Sequence, residues 1–185
     1  VAEAPKEEPK KETLGQLMEK SGRAMNDAMN AHDAKKLAAL YTDSAVVKMG
    51  GSPDTTGRDA IEKNYQQMFT AFPDFKSNVS RVWVKNDVAI VEWAFNGTHQ
   101  GDLWGMKGTE KKVGTMGVDV IWYTPEGLIK EQHTYFDGAT IASQIGVSKQ
   151  KARAIPAIPT KPSNRPILEP VDRSIPSSSD TTTNR

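Results

Sequence analysis

The sequence predicts an α+β domain, with helices first, then a meander of long strands, then a short closing helix. Apolar residues recur at three- and four-residue spacings ahead of Pro73, and the period falls to two after it. The connections between the two-period runs are short, which makes neighbouring strands antiparallel.

From Leu14 to Ala31 the residues Leu14, Leu17, Met18, Ala24, Met25, Ala28 and Met29 form one apolar stripe, so a long amphipathic helix comes first. Asp33 is placed to cap a second, short helix running through Tyr41 and burying Leu37, Leu40 and Tyr41. The run Ala45 to Met49 is strand-like, and the Gly/Ser/Pro/Asp segment after it is a turn. A helix then spans Arg58 to about Ala71, with Ile61, Tyr65, Met68 and Phe69 on one side, and Pro73 ends it near Phe72. The β-rich runs SNVSRVWVK, DVAIVEWAFNGT, KKVGTMGVDVIWYT and GLIKEQHTYFD follow. They are separated by Asn86-Asp87, by a Gly-rich segment from Gly97 to Gly108, and by Pro125-Glu126-Gly127. A last helix, about Ala139 to Ile145, is stopped by Gly146.

Both ends read as extensions of this domain, which occupies residues 13 to 147. Residues 1 to 12 are charged and Pro-containing, a linker or tail without enough apolar surface to offset the entropy of ordering it. The chain opens on Val1, which leaves two readings, removal of an export signal or a shortened chain. The first puts the protein in the periplasm or outside the cell, the second in the cytoplasm. Residues 148 to 185 carry Pro156, Pro159, Pro162, Pro166, Pro170 and Pro176 and then a Ser/Thr run, a composition suited to an extended tail. Such a tail is either solvated or an arm by which residues 150 to 185 dock on a protein partner.

Among 185 residues there are 24 Lys and Arg, 23 Asp and Glu, and no cysteine. Disulfides, thiolate nucleophiles and cysteine metal sites are thereby excluded, and a near-zero net charge argues against nucleic acid as a partner. The longest apolar runs are of strand length, too short to span a membrane. There is no Gly-x-Ser-x-Gly, no phosphate-binding Gly loop and no HExxH spacing, so neither a metal nor a nucleotide cofactor is expected. Chemistry falls to carboxylates and imidazoles. His32 reads as a junction or capping residue. His99 ends a strand between Gly97 and Gly101, where glycines allow backbone to approach closely. Counting by twos along the last strand puts Ile129, Glu131, His133, Tyr135 and Asp137 on one face and Lys130, Gln132, Thr134 and Phe136 on the other. On the strand before it, Asp119 shares a face with Ile121 and Tyr123, opposite Val118, Val120 and Trp122. A carboxylate in such a strand is either an acid or base tuned by an apolar pocket or one member of an ion pair. The aromatic residues Phe72, Trp93, Trp104, Tyr123 and Tyr135 are the candidate pocket wall, with core packing as the plainer alternative.

The series Gly57-Arg58-Asp59-Ala60-Ile61, Ala71-Phe72-Pro73-Asp74-Phe75, Asn86-Asp87-Val88-Ala89, Gly97-Thr98-His99-Gln100-Gly101, Gly117-Val118-Asp119-Val120, Gly127 to His133, Phe136-Asp137 and Gln144-Ile145-Gly146 resembles the SnoaL-like polyketide cyclases. These are also known as ester cyclases and belong to the nuclear transport factor 2-like superfamily. The resemblance runs in order from about Leu14 to Val147. It implies a cone-shaped α+β barrel with a curved sheet around one apolar cavity, and ring closure by cofactor-free intramolecular aldol condensation with an Asp as acid or base. Carried over by motif, Asp137 is the first candidate for that role, His133 and His99 are candidates to orient it or polarise a carbonyl, and Asp119 is a fourth. The resemblance also implies a small apolar ligand and a homodimer through the sheet. The superfamily contains binding modules as well as enzymes, so two functions stand: acid–base catalysis on an apolar carbonyl compound, or non-catalytic ligand binding or assembly with the tail as docking arm.

Overall fold

The computed structural model describes residues 12–103 and 105–147. The candidate wall residue Trp104, and with the tail the expected docking arm, lie outside the described residues. Within them run α1 (Leu14–Asn30), α2 (Ala34–Ala39), β1 (Tyr41–Met49), β2 (Thr55–Thr56), α3 (Arg58–Ala71), β3 (Lys76–Lys85), β4 (Val88–His99), β5 (Lys111–Tyr123), β6 (Ile129–Phe136) and α4 (Gly138–Ile145). The strands form one curved, unclosed sheet in the order β2-β1-β6-β5-β4-β3. This is the α+β class that the element order predicts, and the open sheet fits the cone that the resemblance implies, with one refinement: β1 and β6 run parallel, while every other pair is antiparallel.

Local chemistry sets the ends of the elements. Thr13 and Gln16 cap α1 reciprocally, each side chain satisfying a backbone N–H of the other. Asp33 caps α2 as expected, but the helix stops at Ala39 instead of reaching Tyr41. The Leu40 carbonyl accepts from the Ile129 N–H, and Tyr41 already pairs with Ile129 across the β1–β6 ladder. That pairing starts β1 at Tyr41, ahead of Ala45; the polar stretch Thr42-Asp43-Ser44 between Tyr41 and Val46 lies where the β1–β6 register shifts and has no residue opposite it on β6. Asn86 takes a positive φ in the tight β3–β4 turn, and left-handed Gly146 ends α4.

The helices pack on the inner face of the sheet in two apolar clusters. One gathers Leu37, Phe69, Phe72, Phe75, Val113, Ile141 and Ile145, and the other Met18, Tyr41, Ile61, Ala89, Ile121, Tyr123 and Ile129. Met25 of α1 and Tyr65 of α3 pack against both.

Candidate functional site

A cavity of about 2400 Å³ occupies the space between α1, α3 and the inner face of the sheet. Methionines from α1 and α3 (Met18, Met25, Met29, Met68) form one wall, and Val91, Trp93 and Phe95 of β4 form another. The unbranched methionine side chains give a wall that adapts to the shape of an apolar occupant. Into this wall β5 turns Asp119, Ile121 and Tyr123, the division of faces anticipated for that strand, and β6 turns Gln132, Thr134 and Phe136.

On β6 the counted grouping holds from Glu131 onward, with Glu131, His133 and Tyr135 on one face and Gln132, Thr134 and Phe136 on the other, but it is the second set that turns to the cavity, and Ile129 does not share a face with the first. Ile129 is buried, but so are Gln132 and Thr134, three and five residues on, whereas alternation from Ile129 puts Glu131 and His133 on its face. The ladder to β5 slips between Trp122 and Tyr123: Tyr123 faces Ile129, Trp122 faces Glu131, and Lys130 has no opposite residue. One inserted residue flips every side chain that follows it. His133 and Tyr135 accordingly stand on the outer face. There the His133 ring bonds through Nε2 to Glu131 (2.8 Å) and through Nδ1 to the Tyr135 hydroxyl (3.3 Å), and Lys48 pairs with the same Glu131 oxygen at 3.3 Å.

The other candidates disperse. Asp137 is the N-cap of α4; its carboxylate is exposed, accepts from the backbone N–H groups of Ala139 and Thr140 and from the Thr140 hydroxyl, and is held below the ordinary carboxyl range by them. His99 is fully buried beside Phe72 and bonds through Nδ1 to Thr109 (3.1 Å), away from the cavity lining. Phe72, Trp93 and Tyr123 do line the cavity. Of the four acid–base candidates, Asp119 alone joins them.

Asp119 is only 9% exposed, and it faces Val91 on one side and Thr134 on the other. Burial raises its carboxyl to about 6, opposed in part by the nearby hydroxyl of Thr134, the indole of Trp93 and the amide of Gln132. The Trp93 indole favours the ionised form without making a hydrogen bond to it. Neither Trp93 Nε1 nor Asp119 Oδ1 has a hydrogen-bond partner among the described residues. Behind the carboxyl, the buried Tyr41 hydroxyl donates to Gln132 Oε1 (2.5 Å), bonds to the Tyr65 hydroxyl (2.8 Å), and the Gln132 amide nitrogen donates to Thr134 Oγ1 at 3.2 Å. Gln132, Thr134, Tyr41 and Tyr65 were not legible as site residues. Tyr41 and Tyr65 read as core, and the polar pair read as the wrong face of β6. No group of three metal-ligating side chains converges among the described residues.

An open, curved sheet over helices, with a large cavity and a buried carboxyl on its wall, has the nuclear transport factor 2-like fold, an α+β cone. The model for the SnoaL-like polyketide cyclase family matches residues 20–145, and the chain belongs to that family. Among solved structures it is similar to a protein of Jannaschia sp. CCS1 assigned as a SnoaL-like polyketide cyclase (TM-score 0.67, 14% identity, covering 76% of this chain and 99% of that one). It is also similar to AclR of Streptomyces galilaeus, described as a hydroxylase (TM-score 0.64, 18% identity, 74% and 85% covered). A third is a protein of Catenulispora acidiphila DSM 44928 with a ketosteroid isomerase-like fold, in complex with trimethylamine (TM-score 0.60, 13% identity, 69% and 93% covered). At these identities the likeness is one of fold. No curated protein matches the chain.

Proposed function

We propose that the protein binds a neutral, mainly apolar carbonyl compound in this cavity and moves one of its protons through Asp119 without a resident cofactor. A single observation carries the reading: a buried carboxyl whose Oδ1 has no hydrogen-bond partner among the described residues, beside an indole N–H that likewise has none, on a stretch of inner wall shared with Val91, Phe95, Ile121 and Tyr123. Leaving a polar group buried and unpaired costs about 1–3 kcal/mol. A ligand oxygen that accepts from Trp93 while its neighbouring C–H meets Asp119 removes that cost. Membership in the SnoaL-like family supports the same reading.

With its carboxyl near 6, Asp119 can serve as base in one half of a reaction and acid in the next. The ionised carboxylate takes the proton from a carbon flanked by carbonyls. The electron pair left behind delocalises onto a carbonyl oxygen, which accepts the Trp93 N–H. The carboxyl then returns the proton, either to an acceptor carbonyl oxygen as a new carbon–carbon bond forms, or to another carbon of the same molecule. Protons and electrons balance within one substrate, so the product is a ring or an isomer.

The test is hydrogen–deuterium exchange at the acidic C–H of an aryl-substituted 1,3-diketone in D₂O, followed by NMR. The protein is expected to accelerate exchange in a way that rises through about pH 6, and Asp119→Asn to slow it at least about a hundredfold. Binding of the diketone with no acceleration makes the cavity a carrier site. Acceleration that survives Asp119→Asn removes Asp119 from the chemistry.

A further inference from the structure

The hydroxyls and amide behind Asp119 form a chain whose direction is fixed by the chemistry of its members. An amide nitrogen can only donate, so Gln132 Nε2 donates to Thr134 Oγ1, and the Thr134 hydroxyl is left to point its own proton elsewhere. Gln132 is held in that orientation because its Oε1 accepts the Tyr41 hydroxyl proton. Since Tyr41 has spent its only proton there, Tyr65 must be the donor in the bond between the two phenols. Thr134 lies directly opposite Asp119 on the β5–β6 ladder, on the same inner face.

We propose that Tyr65, Tyr41, Gln132 and Thr134 act as a one-way chain of positioning residues that always presents a proton donor to one oxygen of Asp119 and leaves its Oδ1 to the cavity. A carboxylate receiving that bond is favoured over the neutral acid, so the chain holds down the pH at which Asp119 changes from base to acid. An amide does not relay protons, so the chain ends at Gln132 and Asp119 exchanges its proton only with what occupies the cavity. The titratable groups facing Asp119 are the phenols of Tyr41 on β1, Tyr65 on α3 and Tyr123 on β5, all raised by burial and neutral through the working range. From β4 and β6 it meets Trp93, Gln132 and Thr134, which do not titrate; α1 lines the same cavity with Met18 and Met25 and with the charged Glu19, Arg23 and Asp27, and α3 with Asp59, Glu62 and Lys63. The inference rests on Asp119 as the working group of the cavity, but it concerns the ligand-free protein.

The experiment is a pH titration of the Asp119 carboxyl carbon by ¹³C NMR on the full chain, with Asp119→Asn to assign the signal. Thr134→Val keeps the shape and removes the donor, and is expected to raise the midpoint by about one pH unit. Thr134→Ser keeps the donor and is expected to leave the midpoint in place. Tyr41→Phe lets the Gln132 amide turn over and draw the Thr134 proton away, and is expected to raise the midpoint although Thr134 is untouched. If Thr134→Val does not fold, Thr134→Ser and Tyr41→Phe decide the matter by the same criteria. An unmoved midpoint in Tyr41→Phe overturns the chain, as does a Thr134→Ser midpoint that rises like that of Thr134→Val. Because no ligand is present, this result is independent of the diketone exchange that tests the function.

Discussion

The two faces of β6 carry similar inventories and behave in opposite ways. Outward, Glu131, His133 and Tyr135 satisfy one another and Lys48, within reach of water. Their neighbours on that face include Met116 and Ile90, 69% and 39% exposed. Inward, Gln132 and Thr134 are buried, and the carboxyl they adjoin keeps one oxygen without a partner among the described residues. An acid next to a histidine looks like machinery in a sequence, yet a histidine already paired with a glutamate at the surface has little left to offer a ligand. A lone aspartate with its hydrogen-bond capacity half used has more to offer, since desolvation both tunes it and leaves it in need of a partner.

The sharpest way to break this contrast is to compare the two faces by the same substitution. Asp119→Asn is expected to cost at least about a hundredfold in the exchange of the diketone C–H, whereas His133→Asn on the outer face is expected to leave that rate within about twofold. Equal losses measured by NMR would abolish the distinction between the faces.

The next effect is thermodynamic and needs no substrate. The Asp119 carboxyl sits at about 6 in the folded protein against 3.8 for an unperturbed group. Between those values the folded state holds a proton that the unfolded chain has released, so stability falls as pH rises from about 4 to 6 and stays at the lower level above that. Full linkage amounts to about 3 kcal/mol. Urea unfolding of the protein and of Asp119→Asn across pH 4 to 7.5 is expected to show the variant gaining relative stability through this window by up to that amount. The surface carboxylates Asp33, Asp74, Asp87 and Asp137 are held low and act in the opposite sense at more acidic pH, and they cancel in the comparison.

How much of this could be read from the chain depends on whether local or distant forces decide the feature. The termini of α3 and the stop at Gly146 follow from a helical stripe, Pro73 and a residue that tolerates the left-handed region, all local, and the sequence reading places them within a residue. The faces of β5 alternate without interruption, so Asp119, Ile121 and Tyr123 can be assigned to one side by counting. β6 cannot be counted in the same way, because the slip opposite Trp122 and Tyr123 is a property of the pair of strands. Tyr41 is a similar case. Its burial is evident from its type, but its hydroxyl becomes part of the site only because β1 returns parallel to β6, more than eighty residues on. Asp137 illustrates the converse: an Asp ahead of a short helix is a local cap, and that role uses its oxygens.

A third prediction concerns the support under the inner face. Gly117 pairs directly with Trp93, and a Cβ there would lie 2.5 Å from the indole and 2.6 Å from the Tyr135 carbonyl oxygen. Neither contact is tolerable for a real Cβ, so the indole has to move and the β5–β6 backbone has to shift with it. Gly117→Ala is expected to cost about 2 kcal/mol in urea unfolding, in the range of overpacked interiors, and to shift the Trp93 environment in near-ultraviolet circular dichroism. An unchanged spectrum at wild-type stability would mean that the indole is not seated on that glycine.

The smallest expected effect separates a cap from an acid. Asp137 accepts three hydrogen bonds at the start of α4, so Asp137→Ala is expected to lower the thermal midpoint by about a few degrees, and Asp137→Asn, an equally good cap, by less. The depressed carboxyl adds a pH signature. Its contribution is present above the ordinary carboxyl value and is lost as pH falls through its own lower value, opposite in sign to that of Asp119. Diketone exchange is expected to be unchanged in both variants. If Asp137→Asn, with the cap retained, instead slowed exchange as much as Asp119→Asn, the reacting group would lie at the end of β6 rather than at the middle of β5. The inner face would then be a binding wall only.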